Sequence, residues 1–151
     1  MQRTVAMLVR EAIIESAQQI TASKDGRVMV LDSGQSCHLF NVDGLHLAKF
    51  SVNIRGDRYY RIACHPVCEH VVVAGEERET HLLIVAIYTV NGDFERKIQL
   101  NETLNCTFFG TQGPALTVSQ QGHITVDFDV KWGGRVIVLK NYRTSRGDNQ
   151  L

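Results

Sequence analysis

The segment from residue 58 to residue 70, RYYRIACHPVCEH, contains the side chains best suited to metal chemistry. Two cysteines and two histidines fall within seven of its positions. Thiolates and imidazoles are ligands of tetrahedral zinc, and a hairpin would bring Cys64 and His70 side by side, with Cys68 in the turn. The spacing matches no paired Cys-x2-Cys arrangement, however, and the rest of the sequence offers no second pair. We therefore expect neither a metal nor another cofactor.

Motifs of enzymatic chemistry are scarce in this sequence. It contains no nucleophile elbow, no Walker loop, no zincin helix and no pair of carboxylates at helical spacing. Its histidines are scattered over predicted strand starts and loops, and the sequence gives them no shared partner. They are His38, His46, His65, His70, His81 and His123. The sequence thus favours a protein that is not an enzyme.

The composition predicts one globular unit. The 151 residues are 44% hydrophobic and 21% charged, which suits a single buried core. Sixteen basic residues balance sixteen acidic ones, so no net field attracts nucleic acid or an anionic membrane. Arg10 and Glu11 interrupt TVAMLV before it reaches the length of a signal peptide or of a membrane span. We expect a cytoplasmic, reducing setting, no membrane partner, and cysteines that are free thiols.

An internal repeat organises the chain. Short segments rich in Val, Ile, Leu and Thr alternate with Gly, Asn and Asp turns, which is typical of an all-β protein. The turn FNVDG ends at Gly44 and the turn YTVNG ends at Gly92, 48 positions later; Gly26 and Gly122 end two further turns that lie 96 positions apart. We expect type I′ hairpins at the Asp-Gly and Asn-Gly pairs. Strands repeated at this interval predict propeller blades.

The repeat divides the chain into about three blades, each a four-stranded antiparallel sheet. The predicted blades are residues 20–52, 61–100 and 115–141, and together they form one propeller region, 20–141. We expect residues 1–19 to form a strand or a short helical segment that leads into this region. Residues 142–151 form a polar tail.

The first blade resembles an NHL repeat. Its sequence, DGRVMVLDSGQSCHLFNVDGLHLAKF, has the glycine turn, the aliphatic strand ending in Asp, the second apolar strand and the closing DG turn. Asp32 matches the Asp that ends the aliphatic strand of the repeat, whereas the second blade has Gly75 at this position. In the last blade, Arg135 and Val136 match the start of the third strand. The resemblance covers roughly residues 18 to 140.

The resemblance implies a recognition module. NHL propellers often form the substrate-recognition part of tripartite-motif ubiquitin ligases, where they bind protein or RNA while a RING domain elsewhere performs the chemistry. The sequence contains no RING, so only recognition is carried over to this chain. Some NHL-like propellers are instead lyases or lactonases with a metal in the central channel, and that is the alternative.

Blade topology places several connections on one side of a propeller, here called the loop face. These are the links from each outer strand to the next blade and the links between second and third strands. Arginines there alternate with aromatic side chains, a combination that binds phosphates and stacks on bases, and that also forms protein hot spots. Alternatively, one tyrosine packs under the loop while the arginines are solvated. The candidate binding residues are Arg55, Arg58, Tyr59, Tyr60, Arg61, Lys131 and Trp132.

Three blades are fewer than a closed propeller has, and the last predicted blade lacks its outer strand. Residues 4–10, TVAMLVR, resemble that missing strand. Two copies would then close a ring as a homodimer, each N-terminal strand completing the partner's last blade. The alternative is a piece of a longer propeller, with unpaired strand edges at its ends.

Overall fold

The fold consists of β strands. The computed structural model describes residues 14, 16–52, 56–65, 69–103, 115–130 and 133–140. This part of the chain holds eleven strands and no helix, and therefore no helix long and apolar enough to cross a membrane. The strands form three antiparallel sheets that do not close into a ring. The prediction of an all-β fold made of blade-like sheets is confirmed.

Each sheet follows the chain order of its strands. The first sheet contains β1 (Ala17–Ala22), β2 (Val28–Asp32), β3 (Ser36–Phe40) and β4 (His46–Ser51). The middle sheet contains β5 (Arg58–Cys64), β6 (His70–Glu76), β7 (Leu82–Thr89) and β8 (Phe94–Thr103). The last sheet contains β9 (Ala115–Val118), β10 (Ile124–Val130) and β11 (Gly133–Leu139). Every strand predicted for the three blades overlaps one of these. Residues 4–10 and the tail 142–151 lie outside the described residues.

The repeated turns differ in type from the prediction. In the turn that ends at Gly44, the Asn41 N–H donates to the Leu45 carbonyl at 2.9 Å, and the Gly44 N–H donates to the Asn41 carbonyl at 2.9 Å. Only the glycine has positive φ, +81°, whereas a type I′ turn would require it at Asp43 as well. This is a three-residue loop with a left-handed glycine, not the type I′ hairpin that the Asp-Gly pair suggested.

A polar residue at the start of each turn explains why this loop recurs. The Asn41 side-chain oxygen accepts from the Leu45 N–H at 2.9 Å, four positions along. The same contact, from a side-chain oxygen to the N–H four positions on, is made by Ser23, Thr89 and Ser119 at 3.0 to 3.1 Å. These residues and the left-handed glycine three positions later define the turn.

The middle sheet is buried on both faces. Along β6, Val71 and Val73 belong to one core cluster, between the first and middle sheets, while Val72 and Ala74 belong to a second, between the middle and last sheets. Strand β7 alternates between the same two clusters. Successive side chains of a strand point to opposite faces, so a strand covered on both faces reads as a continuous apolar run.

A bulge in β5 determines the identity of residue 75. Tyr59 pairs with Gly75 and Arg61 pairs with Ala74, so Tyr60 is the extra residue on β5. The bulge brings the two backbones so close that a Cβ on Gly75 would lie 1.9 Å from the Arg58 carbonyl oxygen. The absence of the strand-ending Asp at this position therefore has a steric cause.

Gln35 joins the first sheet to the middle sheet. It lies in the β2–β3 loop with φ of +66° and is only 4% exposed. Its side-chain amide donates to the Tyr59 carbonyl at 3.0 Å, and its side-chain oxygen accepts from the Tyr59 N–H. The backbone carbonyl of Gln35 accepts from the Val52 N–H at 2.9 Å. One side chain thus satisfies both backbone groups of a buried residue on the neighbouring sheet.

We expect the substitution Gln35→Asn to lower the free energy of unfolding by about 2 kcal/mol, because a side chain one methylene shorter leaves the buried Tyr59 N–H and C=O without partners. Asn tolerates the left-handed region well, so backbone strain adds little. Urea denaturation followed by circular dichroism measures the effect. Gln99→Asn, on an exposed position of β8, is the matched control and should shift stability by less than about 0.5 kcal/mol. Equal losses in the two variants would contradict this role.

Candidate functional site

Two connections predicted for the loop face lie against each other in the structure. Gly56 and Asp57 lead into β5, and the β6–β7 loop runs from Glu77 to His81. The backbone N–H of Arg78 donates to Asp57 Oδ1 at 3.4 Å. The Arg78 side chain passes so close to Gly56 that a Cβ there would lie 3.1 Å from it. The link between blades and the loop between second and third strands therefore share one side of the middle sheet.

A cleft of about 580 Å³ opens beside these connections. Its described lining consists of charged residues of both signs: Asp57, Glu77, Arg78, Glu79 and Lys97. The three carboxylates outnumber the two cations, so the lining carries a formal charge of about −1. A cleft with this lining suits ligands that carry a cation, or a cation beside an anion.

Lys97, on β8, forms ion pairs with two of the carboxylates that line the cleft. Its Nζ lies 2.8 Å from Asp57 Oδ2 and 3.7 Å from Glu77 Oε2. Asp57 is only 6% exposed, and a carboxylate that is taken out of water needs a partner. Lys97 supplies a charge-assisted hydrogen bond to it from a strand 40 positions away in sequence. This ion pair connects the outer strand of the middle sheet to the start of its inner strand.

Arg58, Tyr60 and Arg61 follow Asp57 of the cleft lining along β5. Arg58 is exposed and pairs across the sheet with Glu76, while Tyr60 and Arg61 are half-buried. The Tyr60 hydroxyl donates to Glu76 Oε1 at 3.4 Å, and Arg61 Nη1 donates to the Tyr60 carbonyl at 3.1 Å. Two of the predicted binding residues, Arg58 and Tyr60, thus meet Glu76 at the end of the strand that leads into the charged loop.

Tyr59 lies apart from these residues, in the core. It is 2% exposed and packs in the cluster between the first and middle sheets. Burial, with smaller contributions from Tyr88 and the Asp57 carboxylate, raises the pKa of its hydroxyl far above the ordinary value. A ring in this position cannot stack on a ligand, so the binding role predicted for Tyr59 is corrected to a packing role. Arg55, Lys131 and Trp132 lie outside the described residues.

Two histidines that the sequence left unconnected share a cluster with Asp32. His38 Nε2 lies 2.7 Å from Asp32 Oδ2, and His38 Nδ1 lies 3.4 Å from His46 Nε2. Burial raises the pKa of Asp32, but hydrogen bonds from His38 and from the Ser36 N–H outweigh burial and hold that pKa below its ordinary value. The carboxylate is therefore ionised at neutral pH. The expectation that the histidines have no shared partner is wrong for this pair.

The thiols among the described residues are unreactive. Cys37 is buried, and burial, followed by the nearby Asp32 charge, raises its pKa to about 12. Burial also raises the pKa of Cys64, whose Sγ lies 2.9 Å from the Ala22 carbonyl oxygen on β1. Cys68 lies outside the described residues. Within the part of the chain that the structure covers, no three His, Cys, Asp or Glu side chains are grouped as metal ligands.

No protein-family model matches the chain, and neither does any curated protein at a significant level. The fold and the charged cleft of the loop face are therefore the features from which a function can be inferred.

We expect Lys97→Met to lower the free energy of unfolding by about 2 kcal/mol at pH 7, because it leaves the buried Asp57 carboxylate without its cation. Thermal denaturation at pH 7 measures the effect. The double variant Asp57→Asn/Lys97→Met removes the uncompensated charge and should recover most of the loss. A double variant as unstable as Lys97→Met alone would contradict the pairing.

Proposed function

We propose that this chain is a non-enzymatic recognition module that binds a protein partner through its loop face. The observation that carries the proposal is the cleft of about 580 Å³ lined by charged residues of both signs. Arg58, Tyr60 and Arg61, on the strand that follows Asp57, add the residue types that dominate protein hot spots. The resemblance to NHL repeats points the same way, towards the substrate-recognition part of a tripartite-motif ubiquitin ligase in the cytoplasm. The buried thiols Cys37 and Cys64 are compatible with a reducing compartment.

A protein ligand suits the cleft better than RNA does. Phosphates need cations that are not already neutralised, but Lys97 is paired with Asp57 and Glu77. Glu77 and Glu79 would repel a phosphate that approached Arg78. A peptide that presents a basic and an acidic side chain would instead complement the glutamates and Arg78 together. Charge complementarity thus favours a protein partner, and RNA is the alternative that the experiment has to separate.

Assembly with a second copy forms part of the proposal. The faces of the first and last sheets that point away from the middle sheet carry exposed apolar side chains. Ile20 is 66% exposed on the first sheet, and Val136 and Val138 are 64% and 49% exposed on the last. Inside the chain, neighbouring sheets cover such residues by stacking face to face. Stacking of the two end sheets of two copies would extend the same arrangement and close a ring.

The test uses two single charge reversals, each at an exposed position of the loop face. Peptides that bind the wild-type chain are selected from a displayed random library, and their dissociation constants are then measured by calorimetry. We expect Arg58→Glu and Glu79→Lys each to weaken selected peptides by about tenfold, since a protein ligand pairs with both signs of charge. The exposed substitutions Lys24→Glu and Glu95→Lys, outside the cleft and its flanking residues, are the matched controls.

An RNA ligand would give a different pattern with the same variants. Binding of a random single-stranded RNA, measured by fluorescence anisotropy, would then weaken with Arg58→Glu but strengthen with Glu79→Lys. That pattern would replace the protein ligand with RNA. Selected peptides whose affinity changed no more with the loop-face reversals than with the controls would overturn the proposal.

A further inference from the structure

The face of the first sheet that points away from the middle sheet carries a pair of imidazoles held by a buried carboxylate. His38 Nδ1 and His46 Nε2 lie 3.4 Å apart, and His38 Nε2 lies 2.7 Å from Asp32 Oδ2. We propose that His38 and His46 bind a Zn²⁺ ion between these two nitrogens, with Asp32 as the residue that orients His38. This site is distinct from the loop-face cleft and does not depend on ligand binding there; it lies on the sheet face that stacking with a second copy would cover, so it is proposed as a site of the single chain.

The pair is created by a bulge between β3 and β4. Leu39 pairs with Ala48 and Phe40 pairs with His46, so Leu47 is the extra residue. Ala48 packs on the core side of the sheet, and regular alternation would place His46 on that side as well. The bulge turns His46 to the opposite side, where its ring centroid lies 5.5 Å from that of His38. A sequence without the extra residue would separate the two imidazoles.

The separation of the two nitrogens suits one metal ion. Zinc binds imidazole nitrogen at about 2.0 to 2.1 Å, and two ligands of a tetrahedral ion at that distance are roughly 3.3 Å apart. The observed 3.4 Å is close to that value. The ion would take the place of the proton that otherwise joins the two rings.

Asp32 places the lone pair of His38 where the ion would lie. Nε2 of His38 faces the Asp32 carboxylate, to which it can donate, and this leaves Nδ1, which faces His46, as the nitrogen available to the ion. The other oxygen, Asp32 Oδ1, accepts from the Ser36 N–H at 2.9 Å, which fixes the carboxylate. A carboxylate behind a histidine ligand is the usual outer partner in zinc sites.

The remaining coordination positions would be filled by water. His46 is exposed, so the ion can enter from solvent, whereas His38 is 8% exposed and already oriented. Imidazole ligands select zinc and its transition-metal neighbours over Mg²⁺ and Ca²⁺, which prefer oxygen. Lys49 lies directly across from His38 on β4, and its side chain is exposed to solvent. Two protein ligands predict a labile ion rather than a structural one.

The experiment titrates the full chain with ZnSO4 and follows the imidazole nitrogens by NMR, with calorimetry for affinity. We expect one zinc ion to bind per chain. The NMR signals of His38 Nδ1 and His46 Nε2 should shift when it binds. His46→Ala, at an exposed position, should weaken zinc binding by at least about tenfold. His123→Ala, in the β9–β10 turn, is the matched control and should leave the affinity unchanged. Zinc that shifts neither nitrogen, or binds His46→Ala as tightly as the wild type, would overturn the site.

A second variant tests the positioning residue separately. Asp32→Asn can keep the contact with the Ser36 N–H while its amide donates to His38 Nε2, which moves the ring proton to Nδ1. We expect zinc affinity to fall about 10- to 100-fold although both imidazoles remain. The NMR tautomer of His38 gives a readout that a general loss of stability would not produce. Unchanged affinity with the proton on Nδ1 would refute the role of Asp32.

Discussion

Burial of both faces of the middle sheet is the constraint on which the rest of this structure depends. The side chains of β6 and β7 alternate between two separate core clusters, and each cluster also needs a neighbouring sheet to complete it. The middle sheet is therefore stable only when it is stacked between the other two. Because neither face can carry polar side chains, polar chemistry in this sheet is confined to its edges and to the connections at its ends.

The links between sheets follow from that constraint. Stacked sheets slide unless specific contacts fix their relative position, since apolar packing has little directionality. Gln35 supplies such a contact by bonding both backbone groups of Tyr59 on the neighbouring sheet. Within the middle sheet, Lys97 of β8 pairs with the buried Asp57 at the start of β5. The Lys97 contact also shapes the charged cleft. The residues that fix the start of β5 are thus close to those that we propose bind a partner.

Local features of the sequence predicted the strands well. The polar residue and the glycine three positions later define each turn, so spacings such as Gly44 to Gly92 place the strands between them. The type of turn was missed because Asp43 keeps negative φ, which an Asp-Gly pair does not reveal. The buried run VVVA in β6 and the apolar run in β7 were recognisable as strands, but not as strands covered on both faces.

The sites were harder to predict because bulges and distant pairings form them. Tyr60 is an extra residue in β5, so Tyr59 faces the core although it lies among arginines in sequence. Leu47 is an extra residue in β4, so His46 meets His38. If strand alternation is followed without a bulge, Tyr59 and His46 are each predicted on the wrong side of the sheet. Lys97 meets Asp57 only because β5 and β8 belong to one sheet, which no spacing in the sequence indicates.

Amide hydrogen exchange, followed residue by residue, tests the central role of the middle sheet most directly. If this sheet lies between two others, the amides of β6 and β7 should be the slowest to exchange and should open only with global unfolding, while those of β4 and β11 exchange earlier. If the amides of two sheets were equally protected from exchange and those of the third were unprotected, the fold would instead be a two-layer sandwich. That result would contradict the stacked arrangement of the three sheets.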